Sequence, residues 1–472
     1  MSGLESLSRE DLLTLVAMQQ RTIEELKARV AELERRLGRN SGNSSMPPST
    51  DIFTKPARPQ APKSSRKRGG QSGGPGGGLA LVERPDRIEH EFPDACGGCG
   101  SPFGTRSEAQ SVGFTRRQRT DIPPVSARVI ETRFHTVACG CGARTGAPVP
   151  AGVSDTPSYG PNLAAFAVYL LVYQHVPVAR AAQLIADLTG AAPSTGWIAA
   201  QLAKAADLVA PALKLIRALL ILGHVLHADE TTTRIGTDRR RYLHVACTPR
   251  LTLLALAPRS RAGANSLGVL PHFRGTMVHD AYFQLYDGYP DARHQLCAAH
   301  VIRELTAQAE AHPCQGWADQ IRWALARLIE QAERARAAGL NHVPPELAAV
   351  YLRVLRAGVA VGLSRHPRTC AHGAQSDATN LLERLREREH EYLRFLKDTT
   401  VEPTNNRAER DQRPVKTQVK ISGCHQSETG AANWLAVRSY ISSAVKHGVG
   451  AYEALRTAMT GEAWMPPIAL TH

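Results

Sequence analysis

Three acidic residues stand in contexts where a carboxylate could do chemistry on a phosphodiester. Gly223-His-Val-Leu-His-Ala-Asp229 is an apolar run ending in an acid, and Gly275-Thr-Met-Val-His-Asp280 repeats the pattern. The third, Glu409, follows Thr404-Asn-Asn-Arg-Ala and is surrounded by basic residues. Hard divalent cations such as Mg2+ take oxygen ligands and keep several waters, so carboxylates from separate elements suffice to hold them. Enzymes that cut phosphodiesters in this way use two ions about 3.5–4 Å apart, which activate the attacking oxygen and steady the leaving one. Singly, each acid has a plainer reading. An Asp closing a strand is commonly a turn or cap residue, and Glu409 could simply pair with Arg413. It is their order and texture together that favour a metal site.

A second constellation is Cys96-Gly-Gly-Cys99, thirty-nine residues, then Cys139-Gly-Cys141. Zinc favours four thiolates in a tetrahedron, and glycines in the knuckles let backbone amides approach the sulfurs. Four buried reduced thiols are the other reading. The second pair is CxC where CxxC is more usual. Between the pairs, Val129-Ile-Glu-Thr-Arg-Phe134 alternates as a zinc-ribbon strand would. The nine cysteines are an odd number, unevenly placed. This points to a reducing compartment and a metal site, not a disulfide framework.

The acids need elements to position them. Arg241–Cys247 and Leu251–Leu256 read as two further strands between those that carry Asp229 and Asp280. Period-two alternation sets Val225, His227 and Asp229 on one face, and Thr276, Val278 and Asp280 on one face of theirs. If the two strands are neighbours, their carboxylates meet. Pro403 and Thr404 mark a helix start, after which Asn406, Glu409 and Arg413 share a face. Arg407, Arg410, Arg413, Lys416 and Lys420 would make that helix a surface for DNA.

Upstream, Leu12, Val16, Gln19, Ile23, Leu26, Val30, Leu33 and Leu37 follow a four–three spacing, the seam of a coiled coil that joins two copies. A helix packed on its own chain would show a similar stripe. From Ile52 to Val82 there are six basic residues, Lys55, Arg58, Lys63, Arg66, Lys67 and Arg68, and no acidic one. Such a segment cannot bury a core and is expected to be disordered. It either tracks phosphates or serves as a solvated linker. Residues 159–222 read as helical, and Thr189-Gly190 followed by Pro193-Ser194 gives a helix-turn-helix outline, a pattern that any helical bundle also produces.

A net charge of +14 and a pI near 9.6 suit a polyanionic partner. No apolar run reaches roughly 18 residues, so no membrane span is expected. The first residues lack the apolar stretch of a secretion signal, which points to the cytoplasm.

With those residues in view, the chain resembles the IS66 family of insertion-sequence transposases. Asn40-Ser-Gly-Asn-Ser-Ser-Met-Pro-Pro-Ser resembles the family's polar stretch after its leucine zipper, and Gly69-Gly-Gln-Ser-Gly-Gly its glycine-rich approach to a zinc-binding domain. His227-Ala-Asp-Glu-Thr, Val278-His-Asp-Ala-Tyr, Cys297-Ala-Ala-His-Val-Ile-Arg-Glu-Leu and Asn405-Asn-Arg-Ala-Glu-Arg resemble its central motifs, in order. Ala298 stands where the third motif would have Asn.

The resemblance implies a bacterial DDE-type transposase with Asp229, Asp280 and Glu409 as its acidic triad. The triad would hold two Mg2+ or Mn2+ ions, and a structural Zn2+ would sit on Cys96, Cys99, Cys139 and Cys141. Cys297 and His300 match a CxxH element whose role stays open. The expected architecture is multidomain α+β: a coiled coil over residues 1–40, a basic linker over 41–82, a zinc ribbon over 83–150 and a helical region over 151–222. An RNase H-like core follows over 223–302, a helical insertion over 303–398, the final core helix over 399–425 and a helical C-terminal region over 426–472. Within the insertion, Trp317–Ala337 and Leu381–Leu396 read as charged amphipathic helices. The expected activity is binding of double-stranded transposon-end and target DNA, cleavage and strand transfer. The partners are a second or further copies, and small accessory proteins of the same element. An RNase H-like resolvase or nuclease without strand transfer, or a non-catalytic DNA-binding protein, would share parts of this pattern.

Overall fold

A computed structural model of the chain describes residues 8–40, 42–43, 79–149, 157–236, 239–368 and 375–468. The chain divides into two units, residues 57–129 and the remainder. The zipper pattern forms one helix, α1 (Arg9–Leu37). Its seven apolar seam residues are between 39% and 69% exposed, so the described residues do not cover the stripe. Beyond it, Arg39 pairs with Asp377 at 3.2 Å, and Asn43 donates to Glu310 at 2.8 Å. Lys55, Arg58, Lys63, Arg66, Lys67 and Arg68 lie outside the described residues.

The described part of the 57–129 unit holds no strand or α-helix, only a turn at 97–99 closed by an isolated bridge between Ala95 and Pro102 and a 3-10 turn at Glu108–Gln110. The strand expected at Val129–Phe134 does not form. These side chains are exposed and, among the described residues, no strand pairs with them; a lone strand leaves its backbone groups to water. The ladder starts later, as a hairpin of β1 (Thr136–Ala138) and β2 (Arg144–Gly146).

Three helices follow: α2 (Pro161–Val172), α3 (Val178–Thr189) and α4 (Thr195–Ile221). Pro161 opens α2, where its missing N–H costs nothing. Gly190 closes α3 at φ +73, a left-handed conformation that glycine adopts without strain. Ser194 then caps α4 by accepting the Trp197 amide at 3.1 Å. Helix, glycine turn and capped helix therefore occur where the sequence placed them.

The sheet comprises β3 (Val225–Ile235), β4 (Arg239–Cys247), β5 (Thr252–Ala257), β6 (Thr276–His279) and β7 (Arg293–Leu296), in the order β5-β4-β3-β6-β7. β5, β4 and β3 pair antiparallel, while β3, β6 and β7 run parallel. Short helices α5 (Arg261–Asn265) and α6 (Phe283–Tyr286) lie in the connections. Alternation gives the sheet two apolar faces. Leu243, Val245, Cys247 and Leu254 join one core with α2, α4 and the C-terminal helices, and Leu226, Ala228, Ala246 and Met277 join another with Ile216, Leu220 and Phe273. A Cβ on Gly275 would stand 2.4 Å from the His224 carbonyl oxygen, so only glycine lets β6 enter this close beside β3.

The insertion consists of α7 (Ala298–Ala311), α8 (Trp317–Ala337), α9 (Pro345–Arg365), α10 (Asp377–Glu387) and α11 (Glu389–Tyr392), closed by a 3-10 turn at Arg394–Leu396. Its core runs through Trp317, Ile321, Leu328 and Leu382 to Phe395. The single helix expected over Leu381–Leu396 is instead broken at Arg388. That residue leaves helical geometry while its guanidinium engages Asp287 and Glu391. Among the described residues α9 alone is long and apolar enough to cross a membrane, and it buries Leu355, Gly358, Val359 and Gly362 within the insertion. Helices α12 (Asn406–Ser422), α13 (Glu428–Lys446) and α14 (Ala451–Met459) complete the fold.

Candidate active site

Pairing of β3 with β6 matches Val225 to Thr276 and His227 to Val278. The same register carried two residues further sets Asp280 abreast of Asp229. Asp229 does not end its strand, as the sequence suggested. β3 continues against β4 to Ile235, and Asp229 sits just past the point where pairing with β6 stops. Asp229 is buried, and its Oδ1 accepts the Glu230 amide at 2.8 Å. Burial raises its pKa well above the carboxylate range, and the nearby charges of Asp280, Glu230 and Glu409 push it further. Asp280 is raised by burial too, with His300 pulling against that and Glu230 and Glu409 adding to it.

The three predicted acids are thus brought into one electrostatic neighbourhood. Like charges held out of water favour protons or a multivalent cation between them. The donor chemistry fits such an ion: Asp280 Oδ1 is buried without a hydrogen-bond partner. Glu402, a nearby acid, is differently engaged. It pairs with Arg407 and lies 3.7 Å from His227 Nε2.

Asn405 fixes where α12 begins. It is fully buried, donates from Nδ2 to the Ala228 carbonyl at 2.8 Å, and faces His227 Nδ1 through Oδ1 at 3.2 Å. Because that oxygen only accepts, His227 is protonated at Nδ1. Burial holds the His227 imidazole down to about 4, so the ring is neutral. The Asn405 amide also donates to Cys297 Sγ at 3.2 Å, and the Ala298 amide to the Pro403 carbonyl at 2.8 Å. Further along, Asp411 accepts from Thr252 Oγ1 at 2.7 Å and Lys446 Nζ at 2.6 Å, which sets the roll of α12 against β5 and α13. Asn405→Ala leaves buried partners unpaired. It should destabilise the fold by about 1–3 kcal/mol and slow any chemistry dependent on Glu409, as read by denaturant titration beside a cleavage assay. A fully active, fully stable variant would remove Asn405 from this role.

Of the predicted DNA contacts, Arg410, Arg413, Lys416 and Lys420 form an exposed stripe along α12, opposite buried Ala408, Gln412, Val415 and Gln418. Arg407 is off that stripe, half-buried on Glu402. Two residues of the neighbourhood escaped sequence reasoning. Asn405 lay in a noted motif without a role, and Glu230 was passed over as the neighbour of Asp229. Glu230 accepts from Tyr286 at 2.8 Å and from Arg259 at 3.0 Å, and the Arg259 guanidinium lies 3.9 Å over the Tyr282 ring. Tyr286 and Arg259 come from α6 and the loop after β5, a convergence no local pattern announces. Cys297 is buried at the N-terminus of α7, and His300 lies in its first turn with Nδ1 3.3 Å from Asp280 Oδ1.

Each cysteine pair lies in a hydrogen-bonded turn. In the first, the Gly100 amide donates to the Cys96 carbonyl and the Cys96 amide to the Ser101 carbonyl, both at 2.9 Å, with Gly100 at φ +73. The Ser101 hydroxyl and amide hold the Cys99 thiol down at about 7. In the second, the Gly142 amide donates to the Cys139 carbonyl at 2.9 Å, one residue tighter, which is how CxC still makes a turn. The Cys141 amide and thiol lower Cys139. Cys99, Cys139 and Cys141 are exposed and Cys96 half-buried, against the alternative of four buried thiols. The exposed start of α4 presents Ala199, Ala200, Ala203 and Lys204, one basic residue among small side chains.

The described chain is thus a mixed helix-and-sheet protein, with cysteine turns ahead of a helical region and a five-stranded sheet. Residues 157–433, more than half of the chain, match the model of the Transposase IS66 family, and residues 93–142 match the zinc-finger binding domain of transposase IS66. The chain belongs to the IS66 transposase family. Residues 5–80 match a family of unknown function. No curated protein matches the chain.

Proposed function

We propose that the chain is a DDE-type transposase that binds double-stranded transposon ends and cuts and joins DNA at Asp229, Asp280 and Glu409. The observation that carries this reading is the strand register that sets Asp229 and Asp280 abreast, both raised by burial with Glu409 of α12 adding to each. The strand order, three antiparallel followed by two parallel, supports an RNase H-like core. Two Mg2+ or Mn2+ ions held there would supply activation of an attacking oxygen and neutralisation of the leaving one. Asp229 and Asp280 provide oxygens from the sheet, and Glu409 closes the site from α12. Arg410, Arg413, Lys416 and Lys420 hold the phosphate backbone along the same helix. The deciding experiment is incubation of the full chain with candidate end DNA and Mg2+, resolving nicked, cut and joined products. Cleavage without joined products would leave a nuclease, and no Mg2+-dependent product would end the reading.

The same proposal gives Cys96, Cys99, Cys139 and Cys141 to one structural Zn2+, supported by the two turns and the zinc-finger match. Elemental analysis should find about one zinc per chain. A chelator should expose residues 83–149 to protease before the rest, because metal binding and folding are linked in small zinc domains. Zinc-free protein purified without chelator would sink this assignment. The exposed stripe of α1 supports a coiled-coil dimer, in keeping with a reaction that must hold two DNA ends together.

A further inference from the structure

We propose that His300 is a nitrogen ligand of the same cation site, its Nδ1 acting together with Asp280 Oδ1. This rests on the reading of the acids as metal ligands. His300 Nδ1 and Asp280 Oδ1 are 3.3 Å apart. Both atoms are shielded from water, and neither makes a hydrogen bond. They are close enough for one, so it is direction that is wrong. Two donors each about 2.1 Å from a common ion stand about 3.0–3.4 Å apart at octahedral to tetrahedral angles. The observed spacing suits a shared cation better than a misaligned contact between buried polar groups, which would leave both unsatisfied.

Cys297 Sγ completes a group of three donors, all within 4.8 Å of one another. Its role differs. The sulfur accepts the Asn405 amide at 3.2 Å and so ties the start of α12 to that of α7. The two residues of the CxxH element therefore divide the work, with Cys297 holding the helix of the third acid and His300 serving the ion. The other nearby imidazoles are committed elsewhere. His279 faces the Asp280 carbonyl at 2.5 Å and His294 at 2.9 Å, and His227 faces Asn405 and Glu402. An imidazole among carboxylates shifts the preference from Mg2+ toward softer ions such as Mn2+.

The test uses full-length protein with Mn2+ alone, read by electron spin-echo modulation from a directly bonded nitrogen. The wild type should show one imidazole nitrogen coupling. His300→Gln should lose it, with Mn2+ affinity lower by about tenfold. Wild-type protein carrying 15N-histidine should shift the coupling without touching the fold, which keeps the test decisive should H300Q misfold. Bound Mn2+ with no nitrogen coupling, or a coupling that survives in folded H300Q, overturns the role of His300 while the carboxylate site stands. No Mn2+ binding in the wild type would overturn the carboxylate reading and this inference together.

Discussion

Alanine at Asp229, Asp280 or Glu409 is expected to lower DNA cleavage by about a thousandfold or more, with end binding retained. On the proposed site the three acids would share their cations, so any one loss should disable the whole, and double variants should be scarcely worse than single ones. Stability supplies an independent check. Burial and neighbouring acids raise the pKa of Asp229 and Asp280 above their unfolded values. A raised carboxyl contributes stability only at low pH and loses it as pH rises through the folded value, so without metal both acids strain the fold at neutral pH. Asp229→Ala and Asp280→Ala should therefore unfold at the same temperature as wild type or higher in metal-free buffer. Glu402→Gln removes the charge of its pair with Arg407 but leaves the three acids in place, and should retain measurable cleavage. Robust cleavage by any alanine variant at the three positions would take that residue out of the site. A lowered melting temperature in both aspartate variants would instead mark them as structural.

The two strand acids were legible because alternation is a local property: Val225, His227 and Asp229 follow the pleat whatever lies beside them. Their adjacency was not, since pairing of β3 with β6 depends on contacts far apart in sequence, including the bare Cα of Gly275 against the His224 carbonyl. β7, only Arg293–Leu296, was too short and mixed to carry a pattern. The continuous helix read over Leu381–Leu396 was a genuine amphipathic stripe, broken by Arg388, which turns to Asp287 outside the insertion. The strand read at Val129–Phe134 shows the converse limit. Alternation states which side chains could face a core, but not that a partner strand is present. Asn405 and Glu230 act through partners on other elements, so their roles became visible only with the fold.

Removal of residues 1–40 is expected to turn a dimer into a monomer at micromolar concentration and to lower paired-end complex formation by about a hundredfold. Single-end binding by the basic surfaces should stay within about twofold of wild type. The reason lies in α1 itself. A helix of this length gains little from its own hydrogen bonds in water, and most of its stability must come from covering an apolar face. Leu12, Val16, Ile23, Leu26, Val30, Leu33 and Leu37 are all exposed, so the described chain does not provide that cover. A second α1 would, because the four–three spacing keeps one seam facing its copy along the helix. Gln19 is the single polar member of the seam, and a polar residue there fixes register at some cost in stability. Gln19→Leu should accordingly tighten self-association and loosen its stoichiometry. Sedimentation of full-length, truncated and Q19L proteins, with and without DNA ends, reads all three effects. If the full-length protein sediments as a monomer even on DNA, the exposed stripe has no second copy as its partner and the zipper assignment fails.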